Sequence, residues 1–167
     1  MGVRRACAQL THTSMADDTE AVVRYAARTM QTLPIRLAPG EDLRRALELA
    51  VAARGLKAAF VLAGIGSLAS PRLRLAGAAD ALAIDGDVEL LALCGSIAAH
   101  GSHLHASVAR ADGSVVGGHV AYGCAVRTTA ELLLALLPEW EFERAPDAAT
   151  GYDELVVRPA ASGALPR

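Results

Sequence analysis

The sequence predicts an α+β domain in which a mostly antiparallel sheet is flanked by helices. Most of the chain after residue 30 consists of short alternating or apolar runs separated by turn signals, which is typical of strands that follow one another directly. Two stretches instead carry helical signals. The chain has 167 residues, of which 53% are hydrophobic, and this is enough for one domain with a core of ordinary size.

The first strand and the first helix are predicted between residues 32 and 55. The stretch "TLPIRLAPG" alternates and ends at a Pro-Gly pair, which indicates a strand. In "EDLRRALELAVAARG" the apolar residues recur at helical spacing. Glu41 and Asp42 fall in the first turn, where the helix dipole favours acids, and Gly55 ends the helix.

Three further strands are predicted before the histidine-rich segment. Residues 58–69, "AAFVLAGIGSLA", form a short apolar run that predicts a strand buried on both faces. The stretch "PRLRLAG" alternates, and its arginines are interpreted as the solvent face of a strand. Asp85-Gly86 is a two-residue hairpin signal in front of the strand "DVELLALCGSIA".

A second helix and a last strand are predicted near the end of the chain. Thr128 and Glu131 form a capping-box pattern that would open the helix "TAELLLALL", and residues 139–144 alternate as a strand. The domain is therefore expected to span residues 29–157. Residues 1–28 are interpreted as an ordered N-terminal extension, a frayed tail or a stretch ahead of the true start, and "TEAVVRYAARTM" would form a short helix. Residues 158–167 are predicted to be a flexible C-terminal tail.

The segment "GSHLHASVARADGSVVGGHV" contains three of the five histidines and predicts a β-hairpin. Alternation puts His103 and His105 on one face of its first strand. A three-residue loop, Ala111-Asp112-Gly113 with Gly113 left-handed, would place His105 directly opposite His119 and leave the other face wholly apolar. A two-residue Asp112-Gly113 loop would mix polar and apolar side chains on both faces, so the pattern favours the three-residue loop.

Three neutral imidazoles on one sheet face can meet at one metal ion and leave a coordination position open, as in catalytic zinc sites. Other transition metals also accept imidazole ligands. Gly117 and Gly118 leave room beside His119 for a ligand or for another backbone. The competing interpretation is that the three histidines are polar residues on a hydrated sheet face.

Composition narrows the function classes. The formal net charge is −2, from 16 basic and 18 acidic residues, so nucleic-acid binding would need a local arginine patch. No apolar run reaches the 18 or so residues that a membrane span needs. The three cysteines are scattered, which favours a reducing cytoplasm, and Cys94 and Cys124 are expected to be small core residues.

Six separated stretches resemble the plants-and-prokaryotes-conserved (PPC) domain in the order of that family. They are "LAPGEDL", "VLAGIGSL", "LCGSIA", "HLHASVARADGSVVGGHV", "GCAVRTTAEL" and "TGYDEL". The resemblance covers roughly residues 30–157, and the HxH…GGH hairpin is its most distinctive part. It implies a compact domain that assembles as a homotrimer, in a family whose bacterial single-domain members are often described as DNA-binding.

The sequence lacks the Arg-Gly-Arg-Pro core of the AT-hook that accompanies this domain in plants, so DNA binding by this chain is expected to be weak or indirect. The fold is also similar to that of acetolactate decarboxylase, in which histidines hold zinc. Two functions remain open: a homotrimeric module associated with DNA, and a zinc-dependent enzyme that acts on a small acidic metabolite. For the enzyme, Arg127 and Glu89 are the candidate stabilising and acid–base groups. Arg127 is interpreted equally as a ligand clamp or as part of an intersubunit salt bridge.

Overall fold

The computed structural model describes residues 30–161, which form one eight-stranded sheet, one helix and a separate two-stranded ribbon. The helix α1 is Leu43–Ala52. The strands are β1 Gln31–Leu37, β2 Ala58–Ala69, β3 Arg72–Arg74, β4 Leu82–Ala83, β5 Asp87–Ala98, β6 Gly101–Ala109, β7 Val115–Val120, β8 Ala125–Leu136, β9 Trp140–Pro146 and β10 Asp153–Pro159. The predicted extension at residues 1–28 and the end of the predicted tail, residues 162–167, lie outside the described residues.

The large sheet is antiparallel throughout, which confirms the predicted α+β class. Its strand order is β1-β8-β2-β5-β6-β7-β3-β4, and β9 pairs with β10 in the ribbon. The apolar side of α1 covers one face of the sheet through Leu43, Leu47 and Val51, all of which are buried in the main core. Only one helix is present within the described part of the chain, so helices flank the sheet on one side only.

The ends of α1 follow from local chemistry. Asp42 is the N-cap, and its side chain accepts a hydrogen bond from the Arg45 backbone at 2.9 Å. The acids Glu41 and Asp42 therefore precede the helix instead of lying inside its first turn. Gly55 adopts a left-handed φ of 67°, and this reversal after the last turn confirms the predicted stop.

The predicted second helix is a strand, β8. The side chain that was expected to cap a helix, Thr128, hydrogen-bonds Ser67 on β2 at 2.6 Å. β8 lies between β1 and β2, and both of its edges pair along most of its length. This pairing satisfies the backbone on both sides and overrides the helical preference of a leucine-rich run.

Three other predictions about strands need correction. β2 has one open face, since Phe60, Leu62 and Ile65 are exposed. Asp85-Gly86 is not a hairpin turn, because β4 pairs only with β3 while β5 pairs with β2 and β6. The last strand is β10 and not β9, and β10 continues through Pro159.

Within residues 30–161, no helix has the length and apolar character required to span a bilayer.

Candidate metal centre

The β6–β7 hairpin has the predicted three-residue loop. The Arg110 backbone donates to the Ser114 carbonyl at 2.9 Å, and Gly113 donates to the Arg110 carbonyl at 2.9 Å. Gly113 has a φ of 82°, in the left-handed region that favours glycine.

The predicted strand register follows from this loop. His105 pairs with His119, Ala106 with Gly118, and Val108 with Val116. Leu104, Val108 and Val120 are each no more than 1% exposed and belong to the main core. The hydrophobic pattern therefore selects the register, and it leaves the three histidines together on the opposite face.

The three imidazole rings converge on one point. The Nε2 atoms of His103 and His105 are 3.0 Å apart, and each lies 3.0–3.1 Å from Nδ1 of His119. These three nitrogens form a nearly equilateral triangle on an open part of the sheet. Among residues 30–161 this is the only group of three or more histidine, cysteine, aspartate or glutamate side chains with the spacing of a metal site.

The size of the triangle suits a metal ion bound on one side of it. Tetrahedral zinc with Zn–N bonds of about 2.0–2.1 Å separates its ligand nitrogens by about 3.3–3.4 Å. Octahedral coordination with the same bond length separates adjacent ligands by about 2.9 Å. The observed separations fall between these two values, so the triangle would occupy one face of a coordination sphere and leave the opposite side open.

The surroundings keep two of the rings neutral at physiological pH. Partial burial, and then the positive charge of Arg144, lower the pKa of His103, while Glu154 opposes them. Partial burial, and then the positive charge of Arg74, lower the pKa of His119. Neutral imidazoles are the form that binds a metal.

Cross-strand pairing determines which residues adjoin the histidines. On the β5 side, Cys94 pairs with His105. On the β3 side, Arg74 pairs with His119. Cys94 is therefore exposed in the same row of the sheet, which corrects its assignment to the core, whereas Cys124 is buried as expected.

A cavity of about 580 Å³ opens beside the histidines. His103 and His119 line it together with Arg74 from β3 and Arg144 from the ribbon. The two arginines were missed because their proximity depends on long-range strand pairing, and "RLR" by itself resembles a solvated strand face.

Of the predicted ligand-binding residues, Gly117 and Gly118 lie beside the histidine cluster and Arg127 does not. Gly117 and Gly118 adjoin His119 on β7, and a Cβ at Gly118 would lie 2.6 Å from the Arg74 carbonyl, so Gly118 makes room for the β3 backbone. Arg127 lies outside the cavity lining and forms an ion pair with Asp87 at 2.7 Å. Glu89 is exposed on β5 and also lies outside that lining.

Comparison with known sequences identifies one matching family and two longer proteins that are similar to this chain over part of their length. The sequence model of the Plants and Prokaryotes Conserved (PCC) domain matches residues 24–138. The bifunctional protein GlmU from two Synechococcus strains, JA-2-3B'a(2-13) and JA-3-3Ab, is 45% and 43% identical over 133 and 138 residues, which cover 80% and 83% of this chain. The chain spans only 21% and 22% of the length of these two relatives.

Solved structures share the fold. A hypothetical protein from Salmonella cholerae-suis is 37% identical with a TM-score of 0.77, over 81% of this chain and 98% of that one. A metal-containing protein from Archaeoglobus fulgidus is 26% identical with a TM-score of 0.63, over 75% and 93%. A candidate DNA-binding protein from Bacteroides thetaiotaomicron has a TM-score of 0.67, over 77% and 96%, and its 19% identity supports a likeness in fold alone.

Proposed function

The chain belongs to the Plants and Prokaryotes Conserved (PCC) domain family, also called PPC, and we propose that it is a metal-binding member of that family in which three histidines hold one transition-metal ion. The observation that carries this proposal is the convergence of the three ring nitrogens within 3.0–3.1 Å of one another. Three neutral imidazoles whose lone pairs face a common point repel one another unless a proton or a cation lies between them. A related fold from Archaeoglobus fulgidus is described as metal-containing, which supports the same proposal.

The ligand atoms would be Nε2 of His103, Nε2 of His105 and Nδ1 of His119. Zinc is the metal we expect first, because three-histidine sets with an open position are typical of its catalytic sites. When bound, such an ion supplies Lewis acidity and lowers the pKa of a coordinated water. Metal analysis of protein purified without a histidine tag tests the proposal, and one equivalent of metal per chain is the expected result.

The open coordination side supports a second candidate function, that of a metal-dependent enzyme. A zinc-dependent reaction on a small acidic metabolite would use the metal together with the charged residues of the adjoining cavity. Neither Arg127 nor Glu89 lines that cavity, so a ligand clamp at Arg127 stays a prediction from the sequence.

We expect metal affinity to depend on pH with a definite sign. The lowered pKa values of His103 and His119 keep both rings neutral above the ordinary histidine pKa of about 6.5. Affinity should therefore be constant near pH 7 and fall as the pH drops below about 6.5, where protons compete with the metal. Titrations of the metal-free protein with Zn²⁺ from pH 5 to pH 8 measure this, and an affinity that rises as the pH falls would contradict it.

The metal-free protein should also lose stability on acidification. Because the folded-state pKa of these two rings is lowered, the unfolded chain binds more protons below about pH 6.5. The free energy of unfolding therefore falls as the pH drops through this range.

We further propose that the domain is a homotrimer held together through the open face of β2 and β5. Leu62, Ile65 and Leu91 lie on these two neighbouring strands and are 48%, 55% and 49% exposed. Apolar side chains grouped on a strand face of this kind are typical of surfaces covered by another chain. Light scattering should give a mass near three chains, and a monomer at micromolar concentration would contradict the proposal.

The matched variants for this assembly are Ile65→Asp and Val115→Asp. Val115 is 59% exposed at the start of β7, which is separated from β2 by β5 and β6 in the sheet. A charge at Ile65 should shift the protein towards monomer, because an unpaired carboxylate would be desolvated in the interface. The same charge at Val115 should leave the mass unchanged.

DNA binding by the isolated domain is expected to be weak. The formal net charge is −2, and the chain has no AT-hook core. Binding to phosphates requires basic side chains that release counterions, and here they are balanced by acids. Tight retardation of duplex DNA at about 150 mM salt would contradict this expectation.

A further inference from the structure

The cavity beside the histidines carries positive charge that no acid neutralises by direct contact. Arg74 and Arg144 line it, and neither forms an ion pair within residues 30–161. Arg44 also lines it, but its charge is paired with Glu48 at 3.1 Å, and its two Nη atoms donate to backbone carbonyls.

Neutral acceptors hold both unpaired arginines in position. Arg74 Nη1 donates to the Ala78 carbonyl at 3.2 Å, and Arg144 Nη2 donates to Ser96 Oγ at 2.7 Å. Each hydrogen bond fixes a guanidinium and leaves its charge uncompensated, with other N–H groups free for a further partner.

Both arginines lie next to the histidine cluster, Arg74 through strand pairing and Arg144 through its hydrogen bond to Ser96. Arg74 pairs with His119 across strands β3 and β7. Ser96, the acceptor for Arg144, pairs with His103 across β5 and β6.

This arrangement favours an anion beside the metal ion. Three neutral imidazoles leave both charges of a divalent ion uncompensated, and two nearby guanidinium groups add further repulsion. An anion that touches the metal on one side and the arginines on the other would neutralise both. Bidentate pairing with a planar carboxylate is the geometry that arginine provides best.

From this geometry we infer that the metal-loaded site binds a small organic carboxylate, with one carboxylate at the open side of the metal and a second oxygen-bearing group held by Arg74 and Arg144. The inference rests on the metal centre proposed above. A cavity of about 580 Å³ is within the usual range for small-molecule sites.

A carboxylate fits better than a phosphate. Asp153 and Glu154 also line the cavity. Their charges would oppose a dianionic phosphate, which concentrates two negative charges on one centre, more strongly than a dicarboxylate, whose two charges are separated. L-malate, with two carboxylates and a hydroxyl, is a suitable carboxylate probe, and inorganic phosphate is the comparison.

Isothermal titration of untagged, zinc-loaded protein tests the inference, with the zinc content measured before and after each titration. L-malate should bind the loaded protein and should bind the metal-free protein at least tenfold more weakly. Arg74→Gln and Arg144→Gln should each weaken malate binding about tenfold or more without changing the zinc content. Arg158→Gln is the matched control, because Arg158 pairs with Glu143 on the ribbon and lies outside the cavity lining.

The outcomes separate this inference from the metal centre. Protein that takes up zinc but binds no malate, or binds phosphate more tightly, overturns the inference and leaves the metal centre standing. Malate binding that depends on Arg127 but not on Arg74 or Arg144 also overturns it. Protein that takes up no zinc overturns both.

Discussion

Replacing His119 with alanine should remove the metal from the protein while the fold and the assembly persist. The change deletes one of three nitrogens that converge within 3.1 Å, so the ion would be left with two ligands from the chain. Loss of an outer contact to a metal ligand already costs about 10–100-fold in affinity. Loss of a ligand itself should cost at least as much, and the variant should retain less than a tenth of the wild-type metal after dialysis.

The matched control is His100→Ala. His100 is exposed in the turn between β5 and β6 and belongs to the same histidine-rich segment, but it lies outside the cluster. Elemental analysis of both variants, with circular dichroism and light scattering, separates loss of the metal from loss of the fold. Full metal content in His119→Ala would exclude the three-histidine site.

The second large effect is expected for Gly95→Ala, as a loss of folding stability. Gly95 lies within β5 at a φ of 137°, where other residues are strained. A Cβ built there would lie 2.0 Å from the His103 carbonyl and 2.8 Å from Leu104 Cα. Both contacts are with backbone, so β6 itself would have to move, and we expect a loss of about 3 kcal/mol or more in the free energy of unfolding.

Gly101→Ala is the control for the backbone angle alone. Gly101 also has a positive φ, 107°, but a Cβ there would meet nothing within 4 Å. The substitution Gly101→Ala should lower the free energy of unfolding by about 1–2 kcal/mol through backbone strain, without displacing β6. Urea denaturation of both variants at one protein concentration gives the comparison, and equal losses would show that the contact with His103 is unimportant.

The hairpin could be derived from the sequence because every determinant of it is local. The turn residues around Gly113 and the alternation of apolar side chains on two adjacent strands permit only one register with a clean apolar face. His103, His105 and His119 are brought together by that register, without any contact from elsewhere in the chain. A site formed within one hairpin can thus be recognised from about 20 consecutive residues.

The rest of the site depends on contacts that no local pattern specifies. Arg74 reaches His119 because β3 pairs with β7, although the two strands are about 40 residues apart in the sequence. β8 is a second example, in which the local pattern predicts the wrong secondary structure. Its leucines have a strong preference for a helix, and only the presence of strands on both of its edges makes it a strand.

The division of the cavity between the large sheet and the ribbon has a consequence for ligand exchange. The histidines are anchored in the eight-stranded sheet, whereas Arg144 and Glu154 belong to the β9–β10 pair. That pair contacts the remainder through a small apolar cluster around Phe142 and a few polar contacts, among them Arg144 with Ser96 and Glu141 with Lys57. Two-stranded ribbons are marginally stable by themselves. Detachment of the β9–β10 pair from the sheet should therefore cost less free energy than global unfolding, and a ligand would enter and leave the cavity through this local opening. A ligand that bridges the sheet and the ribbon should in turn slow amide hydrogen exchange in the ribbon.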